Sequence, residues 1–407
     1  MAPWLTYIPI VLAALVLVPQ SSPRVVDKGL LVSGFHETRG APPKTSARRE
    51  AGWEVFKPAW KSSSNRSFFS AAFDANPFAV AGLDADDLVL DPSNALETEF
   101  KIPGYLKSRV AFWIRVYSQY NSQVRIVHDR NRIDLVYGII DLRPLHRELG
   151  NTVVFDIRAN ALERTVLRQL KTLILNASSG RPLSSTDPDM AELRTLLSRF
   201  GALNPLEGQR LVRDLRTQTG QRDMFLQALH RSKELLPHIE SVLRQNGLPI
   251  TLGRIPFVES SFNVRAQSKI GAVGIWQFTP ETAREWIAKD EERFWSDPIR
   301  QTRSAARLLR GYRAMLPDWS TAVTSYNSGI GRIRRLTQKH RSNSIEPLIA
   351  ARENGGLGFA GKNFFAEVMA ATLVEAYKEQ LFGAHMLPDK DSEMALQAVP
   401  TPDRCER

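Results

Sequence analysis

The chain has 407 residues, enough for two compact domains with unstructured ends, and its 43% hydrophobic and 24% charged content is ordinary for a folded globular protein. Its 54 Lys and Arg residues leave a net charge of +11, but they are scattered, which argues against a basic nucleic-acid arm and leaves only compatibility with an anionic polymer or surface. The single cysteine, Cys405, excludes an internal disulfide and a cysteine-built metal site.

From Trp4 to Pro19 the sequence is apolar apart from Thr6 and Tyr7, which is short for a membrane span and suits a secretory signal. No Lys or Arg precedes it, no small-residue cleavage site follows before Pro23, and no lipid-anchoring cysteine is present. Residues 1–23 are therefore expected to be a signal peptide, with an uncleaved N-terminal anchor as the variant. Residues 24–95 carry many breakers, among them Ala-Pro-Pro-Lys and Asp-Pro-Ser-Asn, and read as a flexible linker.

Leu106, Val110, Trp113, Ile114 and Tyr117 recur at helical spacing, predicting a helix over 105–120. Two extended segments follow at 124–128 and 134–140, then a helix over 160–175 and, beyond a Gly- and Pro-bearing linker, another at 189–200. His128 and Asp129 adjoin in the manner of a catalytic pair, but no nucleophile motif accompanies them, so a structural role is favoured. Residues 96–200 thus read as a small α+β accessory domain of unknown role. From Asn204, which caps a helix with Pro205 behind it, the pattern is helical almost throughout. Helices are expected at 221–232, 235–246, 280–288, 300–315, 318–327 and 362–381, leaving 382–407 as a tail.

The segment Ile-Pro-Phe-Val-Glu-Ser-Ser-Phe-Asn at 255–263 places Glu259 at the end of an apolar run. Desolvation there disfavours the carboxylate and raises its pKa, which suits a general acid at neutral pH. Pro256 either kinks a helix opened by Pro249 or marks a later helix start. Gly-Ala-Val-Gly-Ile-Trp-Gln-Phe follows at 271–278, and Ser-Tyr-Asn-Ser-Gly-Ile-Gly at 325–331. The other acids between 255 and 330, including Glu281, Glu285 and Asp297, lack an apolar setting like that of Glu259.

In order and spacing these motifs, with Leu-Pro-Ile-Thr-Leu-Gly-Arg before the acid and Thr-Pro-Glu-Thr-Ala after the glutamine, resemble the soluble lytic transglycosylase (SLT) family, and its membrane-bound D-type branch in particular. The resemblance covers roughly 205–380. It implies a mainly α fold in which 204–381 form a lysozyme-like catalytic domain, acting on peptidoglycan glycan strands in the periplasm or cell envelope. It also implies cleavage of the MurNAc–GlcNAc β-1,4 bond by Glu259 alone, first as acid and then as base, with a 1,6-anhydro product. Ser260 would orient the acid, Gly274 would bring backbone close to the sugar, and Gln277, Tyr326 and Asn327 would bind it. No cofactor, metal or nucleic acid enters, and a membrane enters only through the N-terminal anchor. Two departures stand out: Phe364 and Phe365 occupy a region where the family commonly has a tyrosine, and no LysM wall-binding repeat fits after Gln380. A lysozyme-type hydrolase, which needs a second carboxylate, and a non-catalytic wall-binding protein are the alternatives.

Overall fold

The computed structural model describes residues 69–70, 85–90, 92, 95–180, 203–282, 297–351 and 356–383. The signal or anchor at 1–23, the helix expected at 189–200, Glu285 and most of the C-terminal tail lie outside these residues.

The described chain is mainly α, as expected, around one antiparallel sheet of strand order β1-β3-β2-β4. Strand β1 (Phe69–Ser70) and helix α1 (Ala85–Leu90) come from the stretch read as a linker, yet β1 pairs with β3 and α1 buries Leu88 and Val89. Both pieces are too short to show a period. Helix α2 (Gly104–Ser118) matches its predicted position and is buried almost all round, the mark of a central core helix.

Strands β2 (Val124–Asp129) and β3 (Val136–Asp141) follow where the extended segments were read. A register shift after Val127 leaves Tyr137 unopposed between Gly138 and Val136, a bulge that bends the sheet. Helix α3 (Arg143–Leu149) leads into α4 (Val153–Ser178), a longer helix than the 160–175 expected, opened by the Thr152 side chain accepting from the Phe155 amide. Asn204 caps α5 (Pro205–Asp214) through the Glu207 amide, as its sequence predicts.

Strand β4 (Leu215–Thr219) departs from the all-helical expectation beyond residue 204 and pairs antiparallel with β2. Its run Leu-Arg-Thr-Gln-Thr is too polar and brief to advertise a strand; pairing with β2 decides it. Helix α6 (Arg222–Gln245) replaces the two helices expected on either side of residue 233 and runs through Pro237, losing one backbone hydrogen bond there. A 3-10 turn (Ile250–Arg254) then hands over to α7 (Ile255–Ser260). Pro256 lies in the first turn of α7, where its missing N–H costs nothing, so of the two readings the later helix start holds.

Beyond the turns at 261–282 come α8 (Pro298–Met315), α9 (Trp319–Ser328), α10 (Ile330–His340), α11 (Glu346–Ala350), α12 (Phe359–Ala376) and α13 (Lys378–Phe382). Helix α12 is buried almost all round, with a few polar side chains among its apolar ones, and packs against α2, α7 and α9. A single hydrophobic core runs from α1 and α2 through the Ile126 and Ile139 face of the sheet into α6, α7, α9 and α12. On the other face, Val127, Tyr137 and Ile140 join α4 and α5 in a smaller core.

Candidate active site

Glu259 sits near the C-terminal end of α7, which α12 covers, and the residue is 5% exposed. Among the described residues it has neither a hydrogen bond nor an ion pair. Arg254, the cation nearest in sequence, is turned elsewhere: it donates to Glu240 at 2.6 Å and to Glu375 at 2.8 Å. Burial therefore pushes the Glu259 carboxyl up to about 8, so that it holds its proton at neutral pH.

The backbone after the acid turns sharply. Ser261 and Phe262 adopt left-handed φ values of 52° and 56°, and Gln277 has 49°. Such positions cost non-glycine residues roughly 1 kcal/mol or more apiece and persist where the surroundings over-determine them. Phe262 is pinned by its ring, edge-on to Phe257 with centroids 4.5 Å apart. The Ser260 hydroxyl does not reach the acid. It donates to the Ile275 carbonyl at 2.8 Å, stapling the end of α7 to the turn that carries Gln277.

That turn is closed by amide-to-carbonyl bonds from Gly274 to Ala266 and from Val273 to Phe278. Gly274 has φ of 76°, a conformation that favours glycine, and a Cβ there would displace the Gln301 side-chain amide. The Gln277 side chain donates to the Gly274 carbonyl at 2.9 Å, while its Oε1 is buried without a donor. Trp276 and Phe278 are both core: Trp276 donates to Thr302 Oγ1 at 2.9 Å, and neither ring offers a face to a ligand.

From the opposite side of the sequence, α9 brings Tyr326, whose hydroxyl donates to the Trp276 carbonyl at 2.7 Å. Burial, with the Glu259 carboxyl nearby and then Tyr312, holds that phenol well above its ordinary range, so it stays protonated. Asn327 follows, half-buried, at the end of α9 before Gly329. Glu259, Gln277 and Tyr326 are thus joined through Ile275 and Trp276 backbone, and Gly274 shapes the same turn. Phe364 from α12 lies parallel to Tyr326 with centroids 6.4 Å apart.

Sequence reasoning missed one carboxyl. Glu367 on α12 is close enough to Glu259 for the two to repel, and burial together with that repulsion pushes it up to about 8 against the pull of Arg216. It lies outside the 255–330 window in which acids were weighed. Of the alternatives inside that window, Asp297 caps α8 and Glu281 is exposed. The only signal for Glu367 was one acid in the apolar run Phe-Phe-Ala-Glu-Val-Met-Ala, the same kind of setting that singled out Glu259. His128 and Asp129 take no part. His128 is sealed between Phe112 and Phe359, and burial lowers it to about 3; Asp129 folds a turn by accepting from the Asn131 and Arg132 amides.

Residues 238–349 match the family model described as Transglycosylase SLT domain, and the buried, partnerless Glu259, the glycine-built turn and Tyr326 all lie within the matched span. Two proteins named Membrane-bound lytic murein transglycosylase D, from Escherichia coli (strain K12) and Escherichia coli O6:H1, are each 31% identical over 121 residues. That alignment takes in 28% of this chain and 27% of each relative, so the match is to a domain and not to the whole protein. A solved structure of an inactive variant of the lytic transglycosylase Slt from Pseudomonas aeruginosa aligns over 60% of this chain and 47% of that one. Its identity is 15% and its TM-score 0.31, too loose a likeness to argue from. Among the described residues no group of His, Cys, Asp and Glu is arranged to hold a metal, and no helix is long and apolar enough to cross a membrane.

Proposed function

We propose that the chain is a peptidoglycan lytic transglycosylase, a lyase that cleaves the MurNAc–GlcNAc β-1,4 bond and leaves a 1,6-anhydro-MurNAc end, in wall turnover or remodelling. The observation that carries this reading is the buried, partnerless Glu259 carboxyl, pushed up to about 8, inside a segment that matches the SLT domain. A group that keeps its proton at neutral pH can give it to the glycosidic oxygen as the C1–O bond breaks. The resulting carboxylate then takes the proton of the MurNAc 6-hydroxyl, whose oxygen closes on C1. Atoms balance with no water, metal or cofactor consumed. Holding that hydroxyl on the same molecule as the reacting centre is worth several kcal/mol over a free reactant, on the order of an effective-molarity gain.

In this reading the buried Gln277 Oε1 accepts from the acetamido N–H of the sugar, which supplies the donor it lacks. Tyr326 and Asn327 border the same sugar, and Gly274 lets the turn come close to it. Ser260 acts indirectly, fixing the acid's helix to the Gln277 turn. Export to the periplasm or envelope agrees with the apolar stretch at residues 4–19 and with the words "membrane-bound" in the relatives' name. Residues 96–200 contribute no chemistry of their own.

Hydrolysis is the second reading, and Glu367 is what favours it, since a second carboxyl could activate water. Weighing the soluble fragments from purified peptidoglycan separates the two. The transglycosylase gives anhydro-muramyl products one water lighter than those of a hydrolase, and predominantly reducing-end MurNAc would overturn the first reading. Glu259→Gln is expected to lower turnover by about two to four orders of magnitude with the fold intact, the usual cost of losing a general acid–base group. Wild-type turnover in that variant would remove Glu259 from the mechanism.

A further inference from the structure

Between residues 297 and 345 the chain holds ten Lys and Arg residues against two acids, Asp297 and Asp318. Both acids are already used: Asp297 caps α8 by accepting from the Ile299 and Arg300 amides, and Asp318 caps α9 by accepting from the Ser320 amide. Arginines of α8 find company within the protein. Arg300 pairs with Asp297 at 3.3 Å, Arg307 donates to the Ser304 hydroxyl at 2.9 Å, and Arg313 lies over the Trp319 ring, 5.3 Å from its centroid. Those of α10 do not. Among the described residues Arg332, Arg334, Arg335 and Arg341 make neither an ion pair nor a side-chain hydrogen bond. Helix α10 buries only Ile333, Leu336 and Thr337, and turns Arg334, Arg335 and Lys339 to solvent, with Arg341 exposed just past its end. Arg332, Arg335 and Lys339 follow at three- and four-residue spacing, at which like charges repel, and no acid stands in the first turn to offset them. Arg332, Arg334 and Arg335 also lie in the first half of the helix, the end at which its dipole disfavours a cation. The helix is thus charged at a cost to its own stability.

We propose that the exposed face of α10 is a docking surface for the carboxylates of the peptides that the glycan strand carries. That the polymer is peptidoglycan rests on the function proposed above; the cationic face does not. Its place in the fold suits the task. Helix α10 packs on α9 and begins directly after Gly329, two residues beyond Asn327, so it leads away from the point at which Tyr326 and Asn327 border the sugar. It runs for about 16 Å from there, the reach of about five extended residues of a peptide hung from MurNAc. Guanidinium groups match carboxylates in geometry, because their planar fork can donate two parallel hydrogen bonds. An anionic lipid surface is a poorer fit, since it calls for apolar side chains that sink below the headgroups, and α10 exposes no large apolar residue. Single-stranded nucleic acid calls for rings on which bases stack, and α10 contains no aromatic residue. Carboxylates laid along the face would offset the repulsion among its arginines, so the charge that costs the free helix favours the docked one. Contacts of this kind are individually weak and are screened by salt.

Co-sedimentation of the full chain with insoluble peptidoglycan in the cold tests this, using native wall and wall whose carboxyls have been amidated by a carbodiimide and ammonia. The triple variant Arg332→Gln/Arg334→Gln/Arg335→Gln should bind native wall about tenfold more weakly than the wild type at low salt, the combined size of three exposed ion pairs. The difference should vanish at high salt and on amidated wall. The control is Arg164→Gln/Arg168→Gln/Lys171→Gln on the exposed side of α4, which removes the same charge elsewhere and should bind as the wild type does. An α10 variant that binds native wall as tightly as the wild type overturns the proposal. So does a control that weakens as much, which would make net charge the cause, or amidated wall that binds the wild type as well as native wall. Wild-type pelleting with phosphatidylglycerol vesicles that is lost in the α10 variant, while wall binding is unchanged, would hand the face to lipid and overturn it too. Should the triple variant not fold, Arg335→Gln alone takes its place with a loss of about twofold expected, and undiminished binding overturns the proposal equally. If docking needs α10 and the wall carboxyls but no glycan is cut, the surface stands and the proposed function falls. If anhydro-muramyl products form and docking ignores α10, the docking surface alone falls.

Discussion

At the scale of single residues, the site uses burial where another protein would use a charge. Glu259 is raised from 4.5 to about 8 with no partner, so its folded-state affinity for a proton exceeds that of the unfolded chain. The sign follows: the stability linked to this proton is complete below the unfolded value and is lost as pH climbs through about 8. Glu259→Gln should accordingly melt at a higher temperature than the wild type at about pH 9, with the gap closing toward about pH 4. Equal melting temperatures at both pH values would contradict the burial account. Activity should fall on the alkaline side through the same range, because the acid is spent once ionised. Gln277 carries a different kind of cost, a left-handed backbone and an acceptor with no donor. Gln277→Ala should raise KM about tenfold, the value of one hydrogen bond to substrate, with kcat less affected; an unchanged KM would take the glutamine out of the site. Glu259 was legible because its apolar run is contiguous in sequence. Glu367 was not, because its relation to the acid is made by α12 crossing α7, about a hundred residues later, and no local pattern encodes that crossing.

At the scale of elements, the position of α7 depends on what lies behind it. Arg254, in the 3-10 turn that feeds α7, is clamped between Glu240 of α6 and Glu375 of α12, all three largely buried. Burial would raise Glu375, but Arg254 and Lys378 outweigh it and hold the carboxyl below its usual range. That contribution is present above the unfolded pKa and is lost as pH falls through the folded one, so the clamp weakens in acid. Removing its centre is worse, since two carboxylates would be left facing each other out of water. Arg254→Leu should destabilise the fold by about 3–5 kcal/mol, the range for breaking a buried pair from one side. Urea titration measures it, and a loss below about 1 kcal/mol would mean that the pair is no stronger than a surface one. The motif Leu-Gly-Arg before the acid was visible in sequence, whereas the two partners of Arg254, on helices on either side of it, were not.

At the scale of the whole molecule, the helices of 204–381 do not close their own core. Helix α2 is buried on nearly every side, and its main neighbour is α12, the roof of the site. Polar contacts repeat the connection: Thr251 donates to Glu97 at 2.8 Å beside the acid's helix, Trp319 to Glu99 at 3.2 Å and Arg109 to Asn363 at 2.8 Å. Among the described residues, strand β4, from the C-terminal side of residue 204, has its only strand partner in β2 on the N-terminal side. Helix periods made the helices themselves readable, and the two extended segments were readable as β2 and β3. The connection was hidden because a helix that is buried almost all round reads the same whether its partner is near or distant in sequence. We propose that the 96–200 region is a structural half of one folding unit, not a module that can be shed. A fragment spanning 204–383 would expose the α2-facing side of α12 and leave β4 unpaired, and a lone strand against an open apolar face is not stable in water. That fragment should unfold without a cooperative transition and bind ANS, whereas 85–383 should melt cooperatively and retain glycan cleavage. A fragment of 204–383 that is soluble, melts in one sharp step and cuts peptidoglycan would show that the catalytic helices fold alone and that α2 only leans on them.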